Sequence, residues 1–287
     1  MAVSEGKKIL GYQYKRAVPL AGWTFPDPSM LSDPTLIVFP EDANLRKQLF
    51  TAEVMGHPAK ANIYMLMELM NYYTKPGDII MDVTSGTGTM MIAAQFGRYV
   101  TLIEIEEHFH EMQKRGMELL RVRNPEAVGR VTLLHGDCRL VLPQPAHHII
   151  FSPPYADSLK SKPVAESSRH IAGVTYADTQ DQYYKDYRNV GRLSAFDYNQ
   201  AMETIYKLCF QSLFPGGTIS IIIKDQVRDG KRVYLSKWVD RVMRQTGFKL
   251  KDWWKRQSLG TGYQKLHRSK GNLTVDDEDI VVYEKPA

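Results

Sequence analysis

The chain has 287 residues, 43% of them hydrophobic and 24% charged, with a net charge of +5 and a pI of about 9.0. That length suits one large α/β domain with a small appendage, or two small domains, and the composition is that of an ordinary globular protein. No apolar run reaches about 18 residues, no signal segment opens the chain, and Cys138 and Cys209 lack zinc or disulfide spacing, so a cytoplasmic protein with no membrane span and no metal site is expected.

Residues 1–56 read as an N-terminal extension, broken by Pro19, Pro26, Pro28, Pro34 and Pro40, with a short strand at 35–39 (TLIVF). Residues 57–287 read as the main domain. Apolar spacing turns helical over 60–73, and Pro76-Gly77 stops it. A buried strand at 78–83 (DIIMDV) leads into a Gly/Thr/Ser turn and a helix over 90–96. A strand over 98–103, an amphipathic helix over 107–122 and a strand over 131–134 follow. A fourth strand, 148–151, runs directly into Ser152-Pro153-Pro154-Tyr155. Residues 156–196 lose apolar periodicity and read as a substrate-recognition insertion, too long for an ordinary connection. A helix over 198–214 ends at Pro215-Gly216-Gly217, and a β-branched strand follows at 218–224 (TISIIIK). A helix over 235–246 and strands at 248–254 and 279–283 complete the chain. Alternating strands and helices predict an α/β, doubly wound, mostly parallel sheet that binds ligands at the carboxyl ends of its strands.

The residues after those strands form an ordered series. Asp82 and Thr84 precede Gly86 and Gly88 in a turn that opens a helix, where glycine lets backbone approach a ligand and unpaired N–H groups face it. Glu104 comes first after the second strand and suits ribose hydroxyls, while Glu106 and Glu107 suit the start of the next helix. Asp137, beside Cys138, has two readings, acceptor for an adenine amine or helix cap. The series describes a nucleoside cofactor laid across the sheet. Met91 replaces the third glycine of a pyrophosphate fingerprint, which argues against a dinucleotide.

In Ser152-Pro153-Pro154-Tyr155, two prolines fix an extended turn and remove two N–H donors. Carbonyls near Ser152 and Pro153 then face an incoming amine without competition, and Tyr155 offers a face for stacking a base. An exocyclic amine is a poor nucleophile, because its lone pair is delocalised into the ring. Acceptors set out of the ring plane favour the tetrahedral nitrogen that frees it, so the task is positioning and electrostatics.

The chain resembles the S-adenosylmethionine-dependent amino-methyltransferases of adenine N6 and cytosine N4 over residues 55–285. The resemblance is carried by His57-Pro58-Ala59-Lys60, by residues 76–88 with Val83-Thr84 in place of the family's Pro-Phe, and by the Ser-Pro-Pro-Tyr tetrapeptide. It implies the class I, Rossmann-like seven-stranded fold and S-adenosylmethionine as cofactor, with His57 and Lys60 near its methionine end. Ser at the first tetrapeptide position goes mostly with cytosine, so the resemblance implies cytosine N4, with DNA favoured over RNA as the nucleic-acid partner. The alternatives are adenine N6, an RNA base, and a non-catalytic nucleic-acid-binding module. Two patches mixing cations with aromatics suit nucleic-acid contact: Lys185, Arg188 and Arg192 among tyrosines, and 249–270, with Lys265, Arg268 and Lys270. Each patch reads equally as a solvated face over buried aromatics.

Overall fold

The computed structural model describes residues 8–9, 12–13, 37, 39, 41–56, 60–155, 186–257, 266 and 268–287. Seven strands form one sheet: β1 (Ile79–Asp82), β2 (Tyr99–Glu104), β3 (Val131–His135), β4 (Ala146–Phe151), β5 (Leu213–Ile223), β6 (Lys249–Gln257) and β7 (Asp277–Glu284). Their order is β3-β2-β1-β4-β5-β7-β6. Neighbours pair in parallel except around β7, which runs antiparallel to β5 and β6. This is the class I methyltransferase architecture that the sequence implied.

Burial on both faces explains the near-continuous apolar strands. In β5, Ile219, Ile221 and Ile223 enter one core cluster, while Ile222 enters the other. The period of two thus sorts one strand between two layers. Among the helices, α1 (Ala43–Leu49) and α2 (Ile63–Tyr73) come first, then α3 (Glu107–Arg123), α4 (Pro125–Val128) and α5 (Cys138–Val141). Two further helices are α6 (Ala195–Ser212) and α7 (Leu235–Thr246). On one face α6 and α7 bury Met202, Ile205, Val239 and Met243, each contributing about 1.5–3 kcal/mol. On the other, α2 buries Met65, Leu66, Leu69 and Met70.

Several boundaries differ from the sequence reading, each for a local reason. The turn after β1 continues as a 3₁₀ helix (Thr89–Phe96), tighter than the expected α-helix. The helix expected from 198 starts at Ala195, because the Ser194 side chain accepts from the Asp197 N–H and caps it. It also stops earlier, at Ser212, and Pro215-Gly216-Gly217 lies inside β5 instead of ending a helix. There the Gly216 N–H donates to the Lys285 carbonyl at 2.9 Å and the Lys285 N–H donates to that of Gly217. Helices α4 and α5 are too short to leave a periodic signal.

The strand expected at 35–39 is represented by Ile37, which bridges Arg256 on β6 in parallel; its other described residue, Phe39, is outside regular structure. Behind it, α1 packs Leu45 and Leu49 against Ile63 and Met67 of α2. Most of the insertion expected at 156–196, residues 156–185, lies outside the described residues. Among the described residues no helix is long and apolar enough to cross a membrane.

Candidate active site

The chain winds outward from β1 to β3 and then returns to the other side of β1 as β4. Such a reversal opens a crevice beyond the carboxyl ends of the two adjacent strands. A cavity of about 450 Å³ lies there. It is lined by Lys60, Asp82, Thr84, Gly86, Glu104, Asp137, Cys138, the whole of Ser152–Pro153–Pro154–Tyr155, and Arg188. Residues far apart along the chain thus share one wall system. Gly88, Arg192, Arg268 and Lys270 do not line it. His57, Lys185 and Lys265 lie outside the described residues.

The turn after β1 is built around Glu104. One carboxylate oxygen accepts the Gly86 N–H at 2.6 Å and the other the Glu106 N–H at 2.8 Å. Burial pushes the Glu104 carboxyl up to about 8, and the charges of Glu106 and Asp82 add to the rise. Burial likewise lifts Asp82 to about 7, against the hydrogen bond its carboxylate accepts from the Thr84 N–H. Two acids are therefore held in a desolvated wall that disfavours their charged forms. At another part of the cavity burial brings the Lys60 ammonium down to about 8, helped by the nearby Arg46 charge.

Gly86 and Gly88 serve different ends. Gly86 lines the cavity with φ +50°. Gly88, at φ +77°, turns toward α3, where a Cβ would stand 2.9 Å from the Gln113 side chain. The expected ligand approach at Gly88 is thus a helix–strand packing contact. Gln113 in turn donates to the Gly86 carbonyl at 2.7 Å and the Ser85 hydroxyl at 2.8 Å, bracing the turn from behind. Of the two readings of Asp137, the cap describes its present contacts. Its carboxylate accepts the Arg139 N–H that opens α5 and forms an ion pair with the Arg139 guanidinium at 2.6 Å. Burial pushes the neighbouring Cys138 thiol up to about 12, so the side chain stays protonated and apolar.

The tetrapeptide stands against this turn. The Thr84 hydroxyl donates to the Ser152 carbonyl at 3.3 Å, so that carbonyl carries one competing donor the sequence did not reveal. Its second lone pair is what remains for an amine. Pro153 is buried, the Ser152 side chain is exposed, and Tyr155 packs against the α6 core layer. The Tyr155 hydroxyl accepts the backbone N–H of Lys224 at 2.9 Å, which fixes the ring to the end of β5.

Several lining residues were not singled out in the sequence. The chain returning at 186–192 docks onto the cavity wall: the Asn189 side chain donates to Glu106 at 2.7 Å, and Arg139 donates to the Arg188 carbonyl at 2.7 Å. Glu106, assigned from sequence to a helix start, therefore holds this segment. Lys224, Arg256 and Glu278 also line the cavity. The signal for Lys224 was present, since it directly follows a strand.

The basic patch at 249–270 is less basic than its sequence. Antiparallel β7 opens with Asp277, Glu278 and Asp279, and these acids pair with Lys255 and Arg256. Lys251 pairs with Glu284, and Arg268 with Asp276. Trp254 is a core residue, 2% exposed, and Trp253 donates its indole N–H to Asp279. On β6, Lys251, Lys255 and Arg256 are therefore neutralised by β7, and Trp254 packs into the core.

Known proteins share parts of this geometry. Residues 36–115 match the family model described as "DNA methylase", the N6/N4 methyltransferase type, starting ahead of the boundary read at 57. A curated relative, ribosomal RNA small subunit methyltransferase J of Rhodopseudomonas palustris, is 33% identical over 104 residues, 34% of this chain and 51% of its own length. The chain thus spans about half the length of the curated relatives it matches. A methyltransferase from Pyrococcus furiosus shares 16% identity at a TM-score of 0.47, covering 80% of this chain and 87% of its own. TrmN from Thermus thermophilus shares 13% at 0.48, covering 79% and 50%. The family match points to S-adenosylmethionine as the cofactor. Over residues 36–115, which include β1 and the turn that follows it, the chain is similar to the adenine-N6/cytosine-N4 methyltransferase family.

Proposed function

We propose that the chain methylates the exocyclic amine of a nucleic-acid base, cytosine N4 in DNA. The observation that carries this reading is the junction of the Gly86 turn with Ser152–Pro153–Pro154–Tyr155 in one cavity, joined by the hydrogen bond from Thr84 to the Ser152 carbonyl. Glu104 would hold the ribose hydroxyls, Gly86 would let the backbone close on the nucleoside, and Lys60 would meet the carboxylate of the methionine end. S-adenosylmethionine supplies the methyl group on a sulfonium, ready for an attacking nitrogen. The Ser152 and Pro153 carbonyls accept the N–H groups of the target amine and orient its lone pair toward the cofactor half of the cavity. The Ser152 hydroxyl relays a hydrogen bond to the same nitrogen, and Tyr155 stacks the base, offsetting part of the few kcal/mol spent on unstacking it.

A second reading, the same chemistry on RNA, is favoured by the curated relatives, whose name makes them methyltransferases of small-subunit ribosomal RNA. Transfer of labelled methyl groups from the cofactor to bulk DNA and to bulk RNA separates the two. Label in DNA and its loss in S152A support the proposal. Label in RNA alone moves the chain to the second reading, and label in neither overturns both.

A further inference from the structure

Past the carboxyl end of β5 the chain forms a small antiparallel hairpin, 226–228 against 231–233, before α7 begins. The hairpin therefore stands at the end of the sheet where the cavity opens. Its turn is Asp229-Gly230, with φ +50° and +68°, the two left-handed positions of a tight two-residue connection. A two-stranded hairpin is marginal in water by itself. This one is tied to the sheet by Arg232, whose guanidinium donates to the buried Asp225 at 2.8 Å and to Asp277 of β7 at 2.5 Å. Asp225 also accepts from the Ser236 hydroxyl at 3.1 Å.

The anchor fixes which face points outward. Arg232 stands opposite Val227, and Arg228 stands opposite Lys231 on the other face. Arg228 and Lys231 are both exposed. Arg228 donates to the Gln226 side chain at 3.1 Å, and among the described residues no acid pairs with either cation. Like charges directly opposite each other destabilise a hairpin, so the pair is at odds with the isolated protein and suits an anion that both can reach. A third exposed cation, Lys237 in the first turn of α7, lies 4.4 Å from the centre of the Tyr234 ring, and Arg232 lies 5.4 Å from it. A nucleic-acid strand carries one charge for about every 3.4 Å of its axis. Opposite residues of a hairpin stand roughly 5 Å apart, so Arg228 and Lys231 match neighbouring phosphates of one strand. Resting on the proposed methylation of a base in DNA, we propose that the hairpin at 226–233 is a backbone clamp: Arg228 and Lys231, with Lys237 beside them, hold phosphates of the DNA strand that carries the target base.

The test uses the full chain and random-sequence DNA, with binding followed between about 50 and 200 mM salt, beside labelled methyl transfer to DNA and to RNA. Replacing Arg228, Lys231 and Lys237 together by glutamine should lower the log–log salt slope by about two to three and weaken binding about 10-fold. Affinity for S-adenosylhomocysteine and the melting temperature should stay as in wild type. D229N removes the one acid of the hairpin, and asparagine keeps the left-handed turn. It should therefore bind DNA about 3-fold more tightly, and it decides the matter should the triple variant fail to fold. A salt slope kept by a folded triple variant, or a D229N that binds no more tightly than wild type, overturns the clamp and leaves the proposed function standing. A wild type that transfers label to RNA alone overturns the DNA reading and the clamp with it.

Discussion

Glu104 and Asp82 show how the cavity wall was partly legible. Their types and places after β1 and β2 were readable from sequence, whereas their desolvation depends on the packed sheet. Both have folded-state values raised above the ordinary 4.5 and 3.8, to about 8 and about 7. An acid raised in this way favours the folded state while protonated, and that stability is lost as pH rises from the ordinary value through the folded one. The cofactor-free protein is therefore expected to lose stability between about pH 4 and pH 8, with a slope on the order of 1 kcal/mol per pH unit for each acid. Thermal unfolding across that range checks it: E104Q should flatten the slope, and an unchanged slope would remove Glu104 as its source. At Gly86, φ +50° is an outlier for a β-branched residue. G86V should cut cofactor affinity at least about 100-fold by calorimetry, roughly 3 kcal/mol of binding energy; affinity within a few-fold of wild type would place the ligand elsewhere.

At the scale of elements, α1 belongs to the site more closely than its sequence position suggests. Arg46, 1% exposed, donates to Asp42 at 2.6 Å, the Ala61 carbonyl at 2.6 Å and the Thr89 hydroxyl at 2.9 Å. Asp42 also accepts the Ile63 N–H at the start of α2. One guanidinium thus joins α1, the segment before α2 and the helix after the Gly86 turn. R46M should destabilise the fold by about 3 kcal/mol in denaturant titration, because it strands Asp42, and should weaken cofactor binding; full stability would show α1 to be an ornament. None of this was readable from sequence, since a proline-broken stretch with a short helix carries little periodicity. Strands β1, β4 and β5 were readable because runs such as Ile219–Ile223 are apolar on both faces. The pairing at β6 was not legible for a different reason: its neutralising acids arrive with β7, after an intervening segment, so a window over 249–270 sees the cations alone.

At the scale of the whole molecule, this pairing divides the basic patch. Lys251 and Lys255 are committed to Glu284, Asp277 and Asp279. Removing both should leave the salt dependence of nucleic-acid binding unchanged, whereas neutralising Lys265 and Lys270 together should lower the log–log slope by about one for each phosphate that then keeps its counterion. Equal slopes in both variants would make the patch a solvated surface throughout. The sheet order carries the central claim, because it sets the end of β4 beside the end of β1 and so the Ser152 tetrapeptide beside the Gly86 turn. Mass spectrometry of nucleosides from DNA and RNA treated with the protein and isotope-labelled S-adenosylmethionine tests that claim most directly. Labelled N4-methyldeoxycytidine, lost in S152A while cofactor affinity is kept, is the predicted result; label confined to adenine, or undiminished in S152A, would contradict it.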